Sequence, residues 1–347
     1  MRRVLSRKGL DGLLVTDLTN VRYLSGYTGS NGMMIVTRNR AWFYTDFRYK
    51  EQIRTEVRGC RKKVLDRSLF ARLPLEHLAG VRTLGVEEEH LTLQYHRLLR
   101  RQLRGSGIRL KPVPGMVLGL RRTKDAGEVK AIARAQSVTD RVFKEILGLV
   151  RPGVRERELA AEITYRFARH GDNAFSPIVA SGPNGARPHA DPGERKLRRG
   201  DAVTFDIGCR RDGYCSDMTR TVFVGKPNPD LLQIYHIVRE AQRRGLEAVA
   251  PGADCAAVDR AARDYIRDAG YGPYFGHSLG HGVGLAVHEQ PSLHFRVKDR
   301  LKPGDIVTVE PGIYLPGIGG VRIEDMVVVT KTGRRNLTRS PKEPVRL

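Results

Sequence analysis

The order of apolar and polar positions along this chain predicts most of its elements. Short apolar runs at Gly12–Val15, Gly32–Thr37, Ala41–Thr45 and Val81–Val86 predict strands. Helical spacing of apolar residues marks Phe47–Val57 and Leu91–Leu103. Strands interleaved with helices predict an α/β domain over the first third. Lys111-Pro112-Val113-Pro114-Gly115 interrupts the pattern and reads as the approach to a linker. The boundary is placed near residue 121, giving an N-terminal domain over 1–121 and a second over 122–347.

A longer helical pattern follows from Ala126 to Val150, apolar at Val129, Ile132, Ala133, Val142, Phe143, Ile146 and Leu147, with Thr123 or Asp125 as its cap. This second domain repeats itself. Leu197 to Gly208 aligns with Leu301 to Gly312 at an offset of 104, six of twelve positions are identical, and Asp206 falls on Glu310. Pro152-Gly153 and Pro251-Gly252, at an offset of 99, each open a helical segment. Two echoes in the same order predict a duplicated α+β domain.

The repeated strands carry carboxylates among apolar neighbours. Ala202–Gly208 and Tyr214–Val224 flank the turn Arg210-Arg211-Asp212-Gly213. A reversal between Arg211 and Asp212 makes opposed residues sum to 423, which sets Asp206 against Asp217. In the second copy the turn Pro316-Gly317-Ile318-Gly319 sets Glu310 against Glu324, with a sum of 634. Like charges directly opposed are destabilising, so two such pairs call for divalent cations, and carboxylate oxygen suits hard ions. His281 lies in the glycine-rich Gly276 to Gly284, which allows close backbone approach. His277 shares that segment, His288 follows seven residues after His281, and His189 lies in the loop Ser181 to His189 of the same domain.

Composition narrows the setting. No apolar run reaches the ~18 residues of a membrane span, and the apolar stretch around Leu13 to Val15 is too short for a signal peptide. A soluble, cytoplasmic protein is expected. Cys60, Cys209, Cys215 and Cys255 fit no zinc spacing and are expected to be reduced, although Cys209 and Cys215 could meet across the hairpin. The formal net charge is +23; residues 1–121 hold 24 Lys/Arg against 10 Asp/Glu, so the N-terminal third is the more basic part. The basic residues are scattered along the sequence, apart from Arg61-Lys62-Lys63, and no nucleic-acid motif accompanies them; nucleic acid is not expected as a partner.

Phe205-Asp-Ile-Gly, Ser216-Asp-Met-Thr-Arg-Thr, Gly280-His-Gly-Val-Gly, Val309-Glu-Pro-Gly-Ile-Tyr and Val321-Arg-Ile-Glu-Asp resemble, in order, the motifs of the pita-bread metallopeptidases. That family includes aminopeptidase P, Xaa-Pro dipeptidase (prolidase) and methionine aminopeptidase. Asn20 to Ser30 and Tyr44-Thr-Asp-Phe-Arg-Tyr49 resemble the N-terminal domain of its proline-specific members, a creatinase/prolidase-type α/β domain. The resemblance implies hydrolysis of the Xaa-Pro bond of short peptides. It favours the dipeptidase over an aminopeptidase acting on longer peptides; a non-catalytic basic binding protein and a metal-free creatinase-type hydrolase on the same plan are the alternatives. It further implies two divalent metal ions, Mn²⁺ first with Co²⁺ or Zn²⁺ possible, held by Asp206, Asp217, His281, Glu310 and Glu324. Glu310, His288 and His189 would be catalytic, His277, Tyr314 and Arg322 would bind substrate, and a homodimer would be the assembly. Ala190 and Ala286 depart from residues common in relatives.

Overall fold

The computed structural model describes residues 1–66, 69 and 73–347, and the chain forms two compact units, Met1–Arg121 and Arg122–Leu347. The first runs α1 (Arg2–Arg7), β1 (Gly12–Val15), α2 (Leu18–Ser25), β2 (Met33–Thr37), β3 (Ala41–Asp46), α3 (Gln52–Glu56), β4 (Arg61–Leu65), β5 (Thr83–Glu87), α4 (Leu93–Gln102), β6 (Arg109–Val113) and α5 (Leu118–Arg122). Its strands form one mixed sheet in the order β4-β3-β2-β1-β5-β6. Leu13, Val15, Met34, Val36 and Phe43 feed one core, while Leu14, Met33, Ile35 and Tyr44 feed the other. Both faces are covered, which is why these strands read as unbroken apolar runs.

Two expectations are corrected here. Lys111-Pro112-Val113 is not a linker: it belongs to the edge strand β6, parallel to β5. Proline is tolerated there because an edge strand has a side with no ladder to complete. Phe47–Val57 is not one helix but a 3₁₀ turn at Phe47–Tyr49 followed by α3. Phe47, counted toward the apolar stripe, points to solvent at 77% exposure, so only Ile53 of α3 anchors in the core. The basic run Arg61-Lys62-Lys63 lies in the other edge strand, β4, where cations discourage pairing with further strands.

The second unit begins with α6 (Ala126–Leu147) and α7 (Glu156–Ala168), then β7 (Asp172–Asn173), β8 (Ile178–Ser181), β9 (Ala202–Ile207), β10 (Cys209–Arg211), β11 (Tyr214–Cys215) and β12 (Met218–Phe223). It continues with α8 (Pro229–Ala248), α9 (Cys255–Ile266), β13 (Gly280–Gly282), β14 (Glu289–Leu293), β15 (Ile306–Val309), β16 (Gly312–Leu315), β17 (Gly319–Arg322), β18 (Asp325–Val329) and β19 (Arg334–Asn336). Asp125 caps α6 in a reciprocal box with Glu128. Val142, Phe143, Ile163 and Phe167 of the first helix pair pack on Val203, Phe205, Ile207 and Val222. Ile234, Val238, Val258 and Ala262 of the second pair pack on Val307, Val309, Val321 and Val327. The same helix-pair-on-ladder plan occurs twice in the same chain order, as the sequence echoes predict.

Register decides where the carboxylates go. In the second copy β15 pairs with β18 and β16 with β17, all at a sum of 634, so Glu310 and Glu324 are level across the gap between the two ladders. In the first copy the sum is 425, not 423, and Asp206 stands opposite Thr219. The chain reverses at Asp212-Gly213, where φ is 53° and 87°. A two-residue hairpin turn of this kind needs positive φ at both central positions, which Asp-Gly supplies and Arg-Asp does not. Asp217 therefore sits two positions off the expected partner, still on the face that carries Asp206.

Candidate metal centre

Alternation along β9 and β15 creates the site. Val203, Phe205 and Ile207 turn into the helix-covered core, leaving Thr204 and Asp206 on the other face. Val307 and Val309 do the same, leaving Thr308 and then Glu310. Asp217 enters from the segment before β12, Glu324 from the segment between β17 and β18, and His281 from the middle of β13. These side chains converge beneath a cleft of about 460 Å³, which His189, His277, His288 and Arg322 also line.

The polar groups converge closely. One donor atom each from Asp217, His281 and Glu324 lies within 4.8 Å of the others. His281 Nε2 is 3.3 Å from Glu310 Oε1 and 3.6 Å from Asp217 Oδ2. Its Nδ1 lies 3.1 Å from the Gly282 carbonyl, which holds the proton on that nitrogen and turns the Nε2 lone pair toward the carboxylates. Burial lowers the His281 pKa, so the ring is neutral. A lone pair facing carboxylate oxygens is reconciled only by a proton or a cation.

Burial, and then the charges of Glu324, Asp206 and Glu310, push Asp217 well above the ordinary carboxylate range. Burial also raises Glu324, reinforced by Glu310 and Asp206, and lifts Glu310 to about 7 against the opposing charge of Arg322. Asp206 Oδ1 is buried without a hydrogen-bond partner. An orphaned acceptor, three carboxyls driven toward protonation and one oriented imidazole fit hard divalent ions.

Several supporting residues are not among the candidates read from the sequence, although Thr219 lies within Ser216-Asp-Met-Thr-Arg-Thr. Thr219 Oγ1 donates to Glu324 at 2.8 Å, and Thr308 Oγ1 donates to Glu310 at 3.1 Å while accepting from the His281 backbone at 3.0 Å. Their one sequence signal is a threonine two residues from a carboxylate, or opposed to one, on a polar strand face. Buried Glu156 accepts from Ser181, Asn184 and Gly193, and so orders the loop that carries His189. Arg263, paired with Asp259, holds the carbonyls of Phe275 and His277.

The remaining candidates fall into two groups. His288 and His189 are exposed at the cleft, and the His288 ring stands edge-on to His281 with centroids 4.3 Å apart. His277 Nε2 meets the Tyr314 hydroxyl at 2.8 Å, and burial followed by the Arg322 charge lowers its pKa to about 4. Arg322 then donates to Tyr314, Asp206, Thr219 and the Pro188 carbonyl. Four of its five N–H donors are thus occupied, so the guanidinium is fixed by the site rather than held free. All four cysteines are free thiols.

Glycine is required where His281 approaches its neighbours. A Cβ on Gly280 would collide with the Thr308 carbonyl, and one on Gly282 with that of Gln290. Gly280→Ala is expected to cost about 1–3 kcal/mol of stability, because the clash is with backbone. Thermal melting and metal content should fall together; a variant with unchanged melting and full metal content would contradict this.

Duplicated α+β halves around a cleft floored by carboxylates and one imidazole define a metal-dependent hydrolase. The chain belongs to metallopeptidase family M24, whose sequence profile matches residues 130–331, preceded by a creatinase/prolidase N-terminal domain over 1–123. An Xaa-Pro dipeptidase from Pyrococcus horikoshii is 35% identical over 342 residues, covering 98% of this chain and 95% of that protein. An Xaa-Pro dipeptidase structure from Bacillus anthracis superposes with a TM-score of 0.95 at 40% identity, over 100% of this chain and 98% of the other. An X-Pro aminopeptidase structure from Thermotoga maritima gives 0.91 at 34% identity, over 99% and 100%. The fold is thus the creatinase-type N-terminal domain followed by the pita-bread catalytic domain. Among the described residues no helix is long and apolar enough to cross a membrane.

Proposed function

We propose that this chain hydrolyses the Xaa-Pro bond of short peptides, with Xaa-Pro dipeptides as preferred substrates. The convergence of Asp206, Asp217, His281, Glu310 and Glu324 under one cleft carries this reading. These five would hold two divalent ions, Mn²⁺ first. When bound, the ions supply an activated water and polarise the scissile carbonyl. Glu310 takes the proton from that water and returns it to the leaving proline nitrogen. His288 and His189, exposed at the cleft, donate hydrogen bonds to the carbonyl oxygen as it gains charge. His277, Tyr314 and Arg322 form one hydrogen-bonded chain that fixes Asp206 and presents the last free Arg322 N–H to the substrate.

The test is turnover by metal-stripped protein reloaded with Mn²⁺, comparing Ala-Pro with Ala-Pro-Ala. Cleavage of the dipeptide at higher kcat/KM supports the dipeptidase, and preference for the tripeptide supports an aminopeptidase. No turnover of either by protein that retains metal would remove the peptidase reading. The active form is proposed to be a cytoplasmic homodimer, which sedimentation of the reloaded protein checks for assembly.

A pH dependence follows from the raised carboxyl pKa values. Metal must displace protons from Asp217, Glu310 and Glu324, so affinity is expected to fall as pH drops below about 7, with proton release on loading. Without metal the sign reverses for stability. Carboxyls raised in the folded state bind more protons than in the unfolded chain, so chelated protein loses stability as pH rises through about 7. Melting of chelated and Mn²⁺-loaded protein at pH 5 to 8 reads both effects; chelated protein that grows more stable across this range would contradict the assignment.

A further inference from the structure

Five of the basic residues of the first unit come together in space. Arg97, Arg100 and Arg101 of α4, Arg104 in the turn that follows it and Arg109 of β6 line one open groove of about 950 Å³. All five are exposed, and among the described residues none makes an ion pair or donates a side-chain hydrogen bond. The arginines of α8 differ: Arg243 and Arg244 are tied to Glu240 and Glu247. The sequence shows why. From His90 to Lys124 it holds nine Lys/Arg and no Asp or Glu, so the groove has no local counter-charge.

Five guanidinium groups around one concavity repel each other, and an anionic partner is what relieves that repulsion. Arg97 and Arg101 stand about one turn apart on α4, a rise of about 6 Å, and Arg104 follows in the turn beyond its end. Guanidinium groups match phosphate oxygens in two-point contacts. The groove floor is apolar, from Leu103, Ile108 and Leu110, which suits the flat faces of bases beside a charged backbone.

Two other occupants fit less well. A β-strand added to the free edge of β6 meets Pro112, which has no N–H to offer. A second copy joined through the same face would set cationic surface against itself.

We infer that the α4–β6 groove binds a single-stranded nucleic acid, such as RNA, through its phosphate backbone. This activity is separate from peptide hydrolysis and is tested separately.

The experiment is fluorescence anisotropy of the full chain with a labelled oligoribonucleotide of about 12 nucleotides, titrated over a range of NaCl. Single-strand binding weakens with salt by about 0.7 log units per log unit for each phosphate neutralised. The triple variant Arg97→Gln, Arg101→Gln, Arg104→Gln is expected to bind at least ~10-fold more weakly and to lose about 2 from the salt slope. The matching Arg→Lys triple should keep the slope and so control for folding. A control triple on α1, Arg2→Gln, Arg3→Gln, Arg7→Gln, removes the same charge elsewhere and should leave binding nearly intact.

Equal loss in the α1 control would reduce the effect to net charge and overturn the site. Absence of binding at low salt, or equal competition by polyglutamate, would overturn the nucleic-acid assignment. Self-association that the α4 variant abolishes would replace it with an interface between copies. Turnover of Ala-Pro is expected to be unchanged in the α4 variant, so failure here leaves the peptidase reading standing.

Discussion

Glu310→Gln is expected to lower kcat on an Xaa-Pro dipeptide by about 10²–10⁴-fold. The substitution keeps the size and planarity of the side chain, and the Thr308 hydroxyl can still donate to its remaining oxygen. What it removes is a proton acceptor 3.3 Å from His281 Nε2 and one negative charge from the ligand set. Steady-state kinetics with metal analysis of the same sample is the measurement. A variant that retains more than about a tenth of wild-type kcat would exclude Glu310 as the shuttle.

Arg220→Met is expected to cost about 3–5 kcal/mol, because it removes one partner of a buried ion pair. Arg220 is among the largest fully buried side chains. Its guanidinium donates to Asp325 Oδ1 at 2.7 Å and to the carbonyls of Thr219, Glu324, Ser340 and Pro341. Burial works to raise the Asp325 pKa, and the charges of Arg220 and Lys342 outweigh it, so the carboxyl stays ionised. Arg220 thus pins the backbone of Thr219 and Glu324, one supplying a hydrogen bond to the metal centre and the other a candidate ligand. Loss of this support is expected to weaken metal affinity by about 10–100-fold. Denaturant unfolding and calorimetric Mn²⁺ titration check the two effects, with Arg220→Lys expected to recover part of each. Unchanged metal affinity in a folded Arg220→Met protein would confine the residue to a structural role.

The two copies of the carboxylate hairpin show how far local pattern reaches. At Gly317 the turn is long and glycine-rich, and index counting places Glu310 level with Glu324. At Asp212-Gly213 the same counting misses by two, because turn type depends on which residues accept positive φ. In the first unit the apolar runs locate four strands but not β4 or β6. Both are edge strands rich in cations, with a proline in β6, and that composition resembles a loop more than a strand.

The five candidate ligands are legible as chemistry, since a carboxylate inside an apolar strand is costly to bury unless a cation or a set of donors compensates it. Their supports are not. Thr308 meets Glu310 two residues away, whereas Thr219, Glu156 and Arg220 act through contacts between residues far apart in sequence, up to 121 positions for Arg220 and Pro341. No periodicity records such contacts.

By itself the sequence determined the two-part plan, the duplicated second half and the residue types of the candidate metal centre, because each is written in local period or internal repetition. Only the tertiary structure decided that Asp206 faces Thr219, that Arg322 has one donor left, and that five arginines share one groove. Those facts depend on register and on distances between separate elements, and both are set when the strands pair and the helices close over them.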